Sequence, residues 1–291
     1  MTMQSKKGIR SLVCVIVLVL LSEVSAAEKY RIEDVEFESR GATLSASIVE
    51  PIDRETYAAV VFVHGSGPQS RNLDIAKRFA DDGIVALVYD KRGVGKSGGG
   101  YESKQSVSDK NIDLLADDSL AAANFLSSYH AGKNLKIGVS GISQAGWIVP
   151  LAAKKDKAAE KPVVDFMLIW SGPVCKVSEE DIFSKYTADS DSDRVPSYLE
   201  ALNARKRAYV WPAFLGRDTD SSEDLATLDI PGFWIFGKDD GSIPVDLSMQ
   251  KLELLEQAGK PYQNVLFSST GHNNMAETFA TATDWVKRLR D

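Results

Sequence analysis

Several stretches of the chain are almost continuously apolar: Ala58–Val63, Ile84–Tyr89, Val163–Trp170 and Gly232–Gly237. Runs of this length and texture predict strands covered on both faces. Leu135–Val139 reads as a further short apolar strand and Tyr262–Phe267 as the last strand. Tyr30–Glu38 and Ala42–Glu50 alternate apolar and polar residues instead. They read as two antiparallel edge strands turning at Arg40-Gly41. Between the strands lie segments with helical spacing: Leu73–Asp82, Asn111–Tyr129, Trp147–Lys155, Leu247–Ala258 and Asn274–Arg290. In Asn111–Tyr129 the apolar face is Leu114, Leu115, Leu120, Ala121, Phe125 and Leu126. Strand and helix alternate almost throughout. That predicts an α/β fold, a mostly parallel, doubly wound sheet with helices on both faces.

Val174–Asp229 breaks the pattern. It is rich in charge, Ser and Thr, with scattered aromatics at Phe183, Tyr186, Tyr198, Tyr209, Trp211 and Phe214. It reads as a largely helical insertion at residues 174–229, a lid that packs on the sheet and shapes a pocket. The N-terminus stands apart as well. Lys6, Lys7 and Arg10 precede the apolar run Leu12–Leu21, and Ser25-Ala26-Ala27 supplies small residues. This is the pattern of a secretory signal peptide over residues 1–27, with cleavage near Ala26 or Ala27. An uncleaved anchor is the second reading. The expected mature unit is a single domain, 28–291, exported to the periplasm or beyond, with no stable membrane anchor once the leader is gone. Of the two cysteines only Cys175 lies past the leader, so no internal disulfide is expected and the core must hold the fold.

Composition narrows the partners. The formal net charge is −7, which offers nothing to offset nucleic-acid phosphates. Gly95-Lys96-Ser97 is the end of a phosphate-loop pattern, but Asp90 stands where the first glycine belongs. Asp189–Asp193 opens like a calcium loop, with Glu200 at the closing position. Arg194 replaces the turn glycine and Pro196 interrupts it. Both are set aside; no metal and no cofactor is expected.

In doubly wound sheets ligands bind beyond the carboxyl ends of the strands, so the loops there carry the candidate chemistry. Ser143 follows a strand in Gly141-Ile142-Ser143-Gln144-Ala145-Gly146 and precedes a helix. A serine on a sharp strand-to-helix turn needs small neighbours, and the turn exposes its hydroxyl. The hydroxyl is a poor nucleophile without a base. Of three histidines, His64 sits in a Gly-rich turn and His130 ends a helix. His272 follows the last strand and is the candidate base. Asp239 and Asp240 follow the strand before it, and either could orient the imidazole; Asp240 is chosen. The oxyanion formed on attack needs backbone N–H donors. Gln144, next to the serine, offers one, and Ser66 in His64-Gly65-Ser66-Gly67-Pro68 the other, with Gly67 as its alternative. His64 is expected to buttress that turn.

These segments, with Asp90-Lys91-Arg92-Gly93-Val94-Gly95-Lys96-Ser97, Gly237-Lys238-Asp239-Asp240-Gly241-Ser242-Ile243-Pro244 and Gly271-His272, resemble the α/β-hydrolase superfamily. More narrowly, they are similar to its bacterial exported esterase-like members, grouped with serine aminopeptidase and acyl-thioesterase relatives. The resemblance covers nearly all the expected mature chain. Members place the acid in a Gly-x-x-Asp-x-x-Val-Pro loop, which falls on Asp240 with Ile243 in place of Val. The Asp90–Ser97 turn is structural in such proteins. Ala145 departs from the commoner glycine but is still small. The resemblance implies hydrolysis of an ester, amide or thioester. A carboxylesterase acting through an acyl-enzyme on a small ester is the first expectation, with a peptidase on short peptides or a thioesterase next. A binding protein that keeps the fold without catalysis is the reading from another class.

Overall fold

The computed structural model describes residues 28–103, 106–190 and 194–290. The expected leader, residues 1–27, and Asp191–Asp193 of the acidic run lie outside the described residues. The alternating segments form a hairpin. Strands β1 (Tyr30–Ser39) and β2 (Ala42–Pro51) pair antiparallel, from Tyr30 opposite Pro51 to Ser39 opposite Ala42. At the turn Arg40 and Gly41 take φ of 46° and 73°, matching the twist of a two-residue hairpin connection.

The apolar runs become the inner strands β3 (Ala58–Val63), β4 (Ile84–Tyr89), β5 (Lys136–Ile142), β6 (Phe166–Trp170) and β7 (Gly232–Gly237), with β8 (Tyr262–Phe267) at the edge. Their order in the sheet is β1-β2-β4-β3-β5-β6-β7-β8. β2 meets β4 antiparallel, and every pair from β4 to β8 is parallel. The connections are helical: α1 (Leu73–Asp81), α2 (Asp109–Tyr129), α3 (Ala145–Lys157), α4 (Val177–Ala188), α5 (Tyr198–Arg205), α6 (Ser221–Leu225), α7 (Val245–Gln257) and α8 (Met275–Arg288).

Because successive strand residues point to opposite faces, each inner strand feeds two cores. Val60, Phe62, Val88 and Leu168 pack with Phe79 of α1 and with Phe279 and Trp285 of α8. Val61, Val63, Leu87 and Ile169 pack with Leu115 of α2, Ile148 of α3 and Leu252 of α7. Trp170, at the end of β6, stacks on Phe279 at 5.7 Å, and its indole N–H donates to Thr278 Oγ1 at 3.0 Å. A buried indole is stable there because its one polar group is satisfied.

β6 begins three residues later than its apolar run. The Asp156 carboxylate, at the end of α3, accepts the N–H groups of Val163 and Val164 at 2.9 to 3.1 Å, which takes them off the strand ladder. The segment between β6 and β7 holds α4, α5, a single 3₁₀ turn (Ala213–Leu215) and α6. α4 and α5 share a small core of Ile182, Phe183 and Ala201, flanked by Tyr186, Tyr198 and Tyr209. Among the described residues no helix is long and apolar enough to cross a membrane.

Candidate active site

Ser143 sits between β5 and α3 with φ of 57°. A left-handed backbone is rare and costly for a residue with a Cβ. Two bonds hold it: the Ser143 N–H donates to Trp170 O at 3.0 Å, and Ser143 O accepts from Gly146 N–H at 2.8 Å. The small neighbours have a measurable reason. A Cβ on Gly141 would stand 2.5 Å from Ala145 Cβ and 2.7 Å from Val63 O, and one on Gly146 would stand 2.5 Å from Pro173 N. Ala145 fits where glycine is commoner because its methyl group fills the space over Gly141. The result is a part-exposed serine at the start of a helix.

The candidate acid and base come together on neighbouring strand ends. Gly237, closing β7, lies against the β8–α8 loop: a Cβ there would be 2.3 Å from Thr270 O. The Asp239 N–H donates to the same carbonyl at 3.0 Å. The chain then turns Asp240 inward and leaves Asp239 exposed. Asp240 is fully buried, and its Oδ1 accepts N–H groups from Ser242 at 2.9 Å and Ile243 at 3.2 Å. His272 Nδ1 lies 2.9 Å from Asp240 Oδ2 and 3.1 Å from Oδ1. A carboxylate on Nδ1 holds the proton on that nitrogen, which leaves Nε2 with its lone pair. Both of these contacts of His272 go to Asp240; among the described residues it has no hydrogen bond to Ser143 Oγ. The elbow and the histidine loop do share a cavity of about 430 Å³. Ile142, just before the serine, and Asn273, just after the histidine, line it with Phe62, His64, Ser70 and Met275.

The turn after β3 closes over the elbow. A Cβ on Gly65 would be 3.3 Å from Ser143 Cβ, a distance that brings backbone rather than side chain against the serine. Among the described residues the N–H groups of Ser66 and Gln144 donate to no protein acceptor. His64 is buried, with its ring edge against Tyr89 at 5.1 Å. Burial, together with the nearby Lys91 charge, pushes its imidazole down to about 4, so it stays neutral and packs. His130 lies away from these loops, capping α2 beside Glu50.

Two residues at the site had no signal in the linear pattern. Lys91, the second residue after β4, is 3% exposed. Its ammonium donates to Gly65 O at 2.8 Å, Gly67 O at 3.2 Å and Gln144 Oε1 at 3.0 Å. Burial brings it down to about 8. Glu180, on α4, has its carboxyl pushed up to about 7 by desolvation and by Asp181, while the charge of His272 pulls the other way. Nothing local marked either one: a lysine in a polar turn and a glutamate on a charged helix both read as solvated side chains.

Residues 54–199 match the family described as serine aminopeptidase, S33. The polyketide transferase claH of Penicillium crustosum is 31% identical over 140 residues, which span 44% of this chain and 42% of that protein. Among solved structures, the esterase Pf2001 of Pyrococcus furiosus superposes with a TM-score of 0.61 at 19% identity, over 89% of this chain and 88% of that one. An esterase of Pyrobaculum calidifontis gives 0.61 at 17%, over 89% and 84%. The acylaminoacyl peptidase of Pyrococcus horikoshii gives 0.58 at 18%, over 86% of this chain and 39% of that one. At these identities the structural likenesses speak to the fold.

Proposed function

The chain belongs to the serine aminopeptidase S33 family of α/β-hydrolases, and from that premise we propose that it hydrolyses carboxylic esters through an acyl-enzyme on Ser143. Ser143 Oγ attacks the ester carbonyl while His272 Nε2 takes its proton. The tetrahedral oxyanion is held by the N–H groups of Ser66 and Gln144. His272 then gives the proton to the leaving alkoxide, and the alcohol departs. Water, deprotonated by the same nitrogen, attacks the acyl-enzyme and releases the acid. Asp240 keeps the imidazole oriented and offsets the charge it gains in each step.

The observation that carries this reading is the strained serine, with unused N–H groups beside it and a carboxylate-held imidazole on a neighbouring strand-end loop. Strain of that kind persists where the surroundings enforce it, and it clusters at functional sites. The insertion at residues 174–229 acts as the lid in this proposal. Its Phe183 and Val195 line a second cavity of about 340 Å³ against Asp240, Val245 and Met249, and covering the site keeps water from the oxyanion. In this proposal residues 1–27 act as a secretory leader and the reaction runs outside the cytoplasm.

A peptidase reading is favoured by one observation. Glu180 on α4 is electrostatically coupled to His272, and in this second reading its carboxylate would pair with the free amine of a short peptide. A fluorophosphonate probe tests the mechanism: wild type is labelled and Ser143→Ala is not. A folded wild type that takes no label sinks the catalytic reading and leaves a binding protein on this fold. Rates on p-nitrophenyl esters against aminoacyl arylamides then separate esterase from peptidase.

A further inference from the structure

Resting on the serine hydrolase reading, we propose that Lys91 is a positioning residue for the oxyanion, fixing one backbone N–H donor through the Gly65–Ser66 peptide that carries it and the other through the side chain of Gln144. An ammonium has three N–H bonds. In Lys91 all three are used, on Gly65 O, Gly67 O and Gln144 Oε1. These acceptors belong to the two elements that supply the proposed donors, the turn after β3 and the elbow after β5. One side chain therefore sets the distance between them.

The orientation follows from peptide geometry. The described chain has no cis peptide bond. In a planar trans peptide the C=O and the N–H point in opposite directions. Holding Gly65 O on Lys91 aims the N–H of the same peptide, that of Ser66, away from the lysine. The carbonyls around it are held as well: Gln69 Nε2 donates to Ser66 O at 2.6 Å, and the Lys91 N–H donates to Gln69 O at 3.0 Å. At the elbow, Gln144 is fixed at both ends of its amide, since its Nε2 donates to Ser106 O at 2.6 Å.

The choice of a cation is itself informative. Asp90 is taken by Arg71, with contacts at 3.1 and 3.2 Å. Among the described residues Lys91 has no carboxylate partner. Burying an unpaired charge is costly. A cation at the carbonyl end of the Gly65–Ser66 peptide polarises its N–H and favours negative charge on the far side. That stabilisation is largest when the oxyanion has formed, so the cost returns as catalysis.

Lys91→Met removes donors and charge at similar length, and Lys91→Gln keeps a neutral donor. Each is purified with wild type and Ser143→Ala, and folding is checked by circular dichroism. The readouts are kcat and KM for p-nitrophenyl acetate, and the inhibition constant of phenylboronic acid, which forms an anionic tetrahedral adduct on serine. Lys91→Met is expected to lose about 10²-fold in kcat, with KM within about threefold of wild type and boronate affinity falling in parallel. Lys91→Gln is expected to fall between the two. The proposal is overturned if folded Lys91→Gln keeps wild-type kcat and boronate affinity, or if kcat falls while boronate binding stays unchanged. If Lys91→Met does not fold, Lys91→Gln decides by the same criteria. A wild type that resists fluorophosphonate would show that the hydrolase reading had failed first.

Discussion

Gly65 matters for the space it leaves. The Cβ of an alanine there would lie 3.3 Å from Ser143 Cβ and 3.4 Å from Ile142 O. That is tight enough to push the turn from the elbow and loose enough to fold. Gly65→Ala is expected to keep its melting temperature within about 3 °C and to lose about tenfold in kcat, because a small misplacement of oxyanion donors is felt directly in rate. Equal rates for the two proteins on p-nitrophenyl acetate would show that the turn is not part of the catalytic geometry. Asp240→Asn keeps the shape but presents an amide to Nδ1, which favours the wrong tautomer. A loss of about 10³-fold or more in kcat is expected, and a loss below tenfold would remove Asp240 from the mechanism. The residues alone left Asp239 and Asp240 both open; the resemblance to the α/β-hydrolases, whose acid loop falls on Asp240, favoured that one, and it is Asp240 that lies against the imidazole in the structure. Lys91 was not legible, and the strand order explains why. β3 lies between β4 and β5, so a side chain leaving the end of β4 meets the turn after β3 and then the elbow after β5. No local pattern reveals that adjacency.

Strands β3, β4 and β7 were readable because each is buried on both faces, which writes burial into the sequence as an unbroken apolar run. These three keep the bounds their runs suggest, and β8, a mixed edge strand, also keeps its expected bounds. β6 does not, because a side-chain cap from Asp156 outbids the ladder for two N–H groups. Helix α4 was harder to place, since most of its length is polar and, of its buried residues, Ile182 and Phe183 pack with α5 while only Val177 joins the sheet core. Its Glu180 gives a pH test. The carboxyl has an ordinary value of 4.5 and is raised to about 7 in the fold. Between these values the folded state binds the proton and the unfolded state does not, so stability declines as pH rises through this window. Glu180→Gln has no charge to bury. It is expected to melt about 4 °C above wild type at pH 8, and by less than half that margin at pH 5. A margin that is the same at both pH values would show that Glu180 is solvated.

At the scale of the whole molecule, one sheet separates two cores and gathers the candidate loops along one edge. Alternating strands and helices foretold the parallel sheet, and the placement of loops at its carboxyl edge followed from that. The strand order did not follow, because crossovers are fixed by long-range packing and not by periodicity. The antiparallel hairpin at the other end of the sheet bears on export. Its first backbone tie is Ile52 N–H to Lys29 O at 3.0 Å, and the pairing of β1 starts at Tyr30. Cleavage after Ala26 or Ala27 would therefore remove none of the bonds that hold the sheet edge. Expressed from Met1 in a bacterium with a C-terminal tag, the protein is expected in the periplasmic fraction or the medium, with an intact mass that begins at Ala27 or Glu28. A chain begun at Glu28 should match it in melting temperature and in kcat on p-nitrophenyl acetate. Recovery of the full-length mass from the membrane fraction would instead make residues 1–27 an anchor, with the hydrolase held at the bilayer surface. If the processed protein melted well below the chain begun at Glu28, cleavage would have cut into the fold, and the boundary drawn between leader and domain would be wrong.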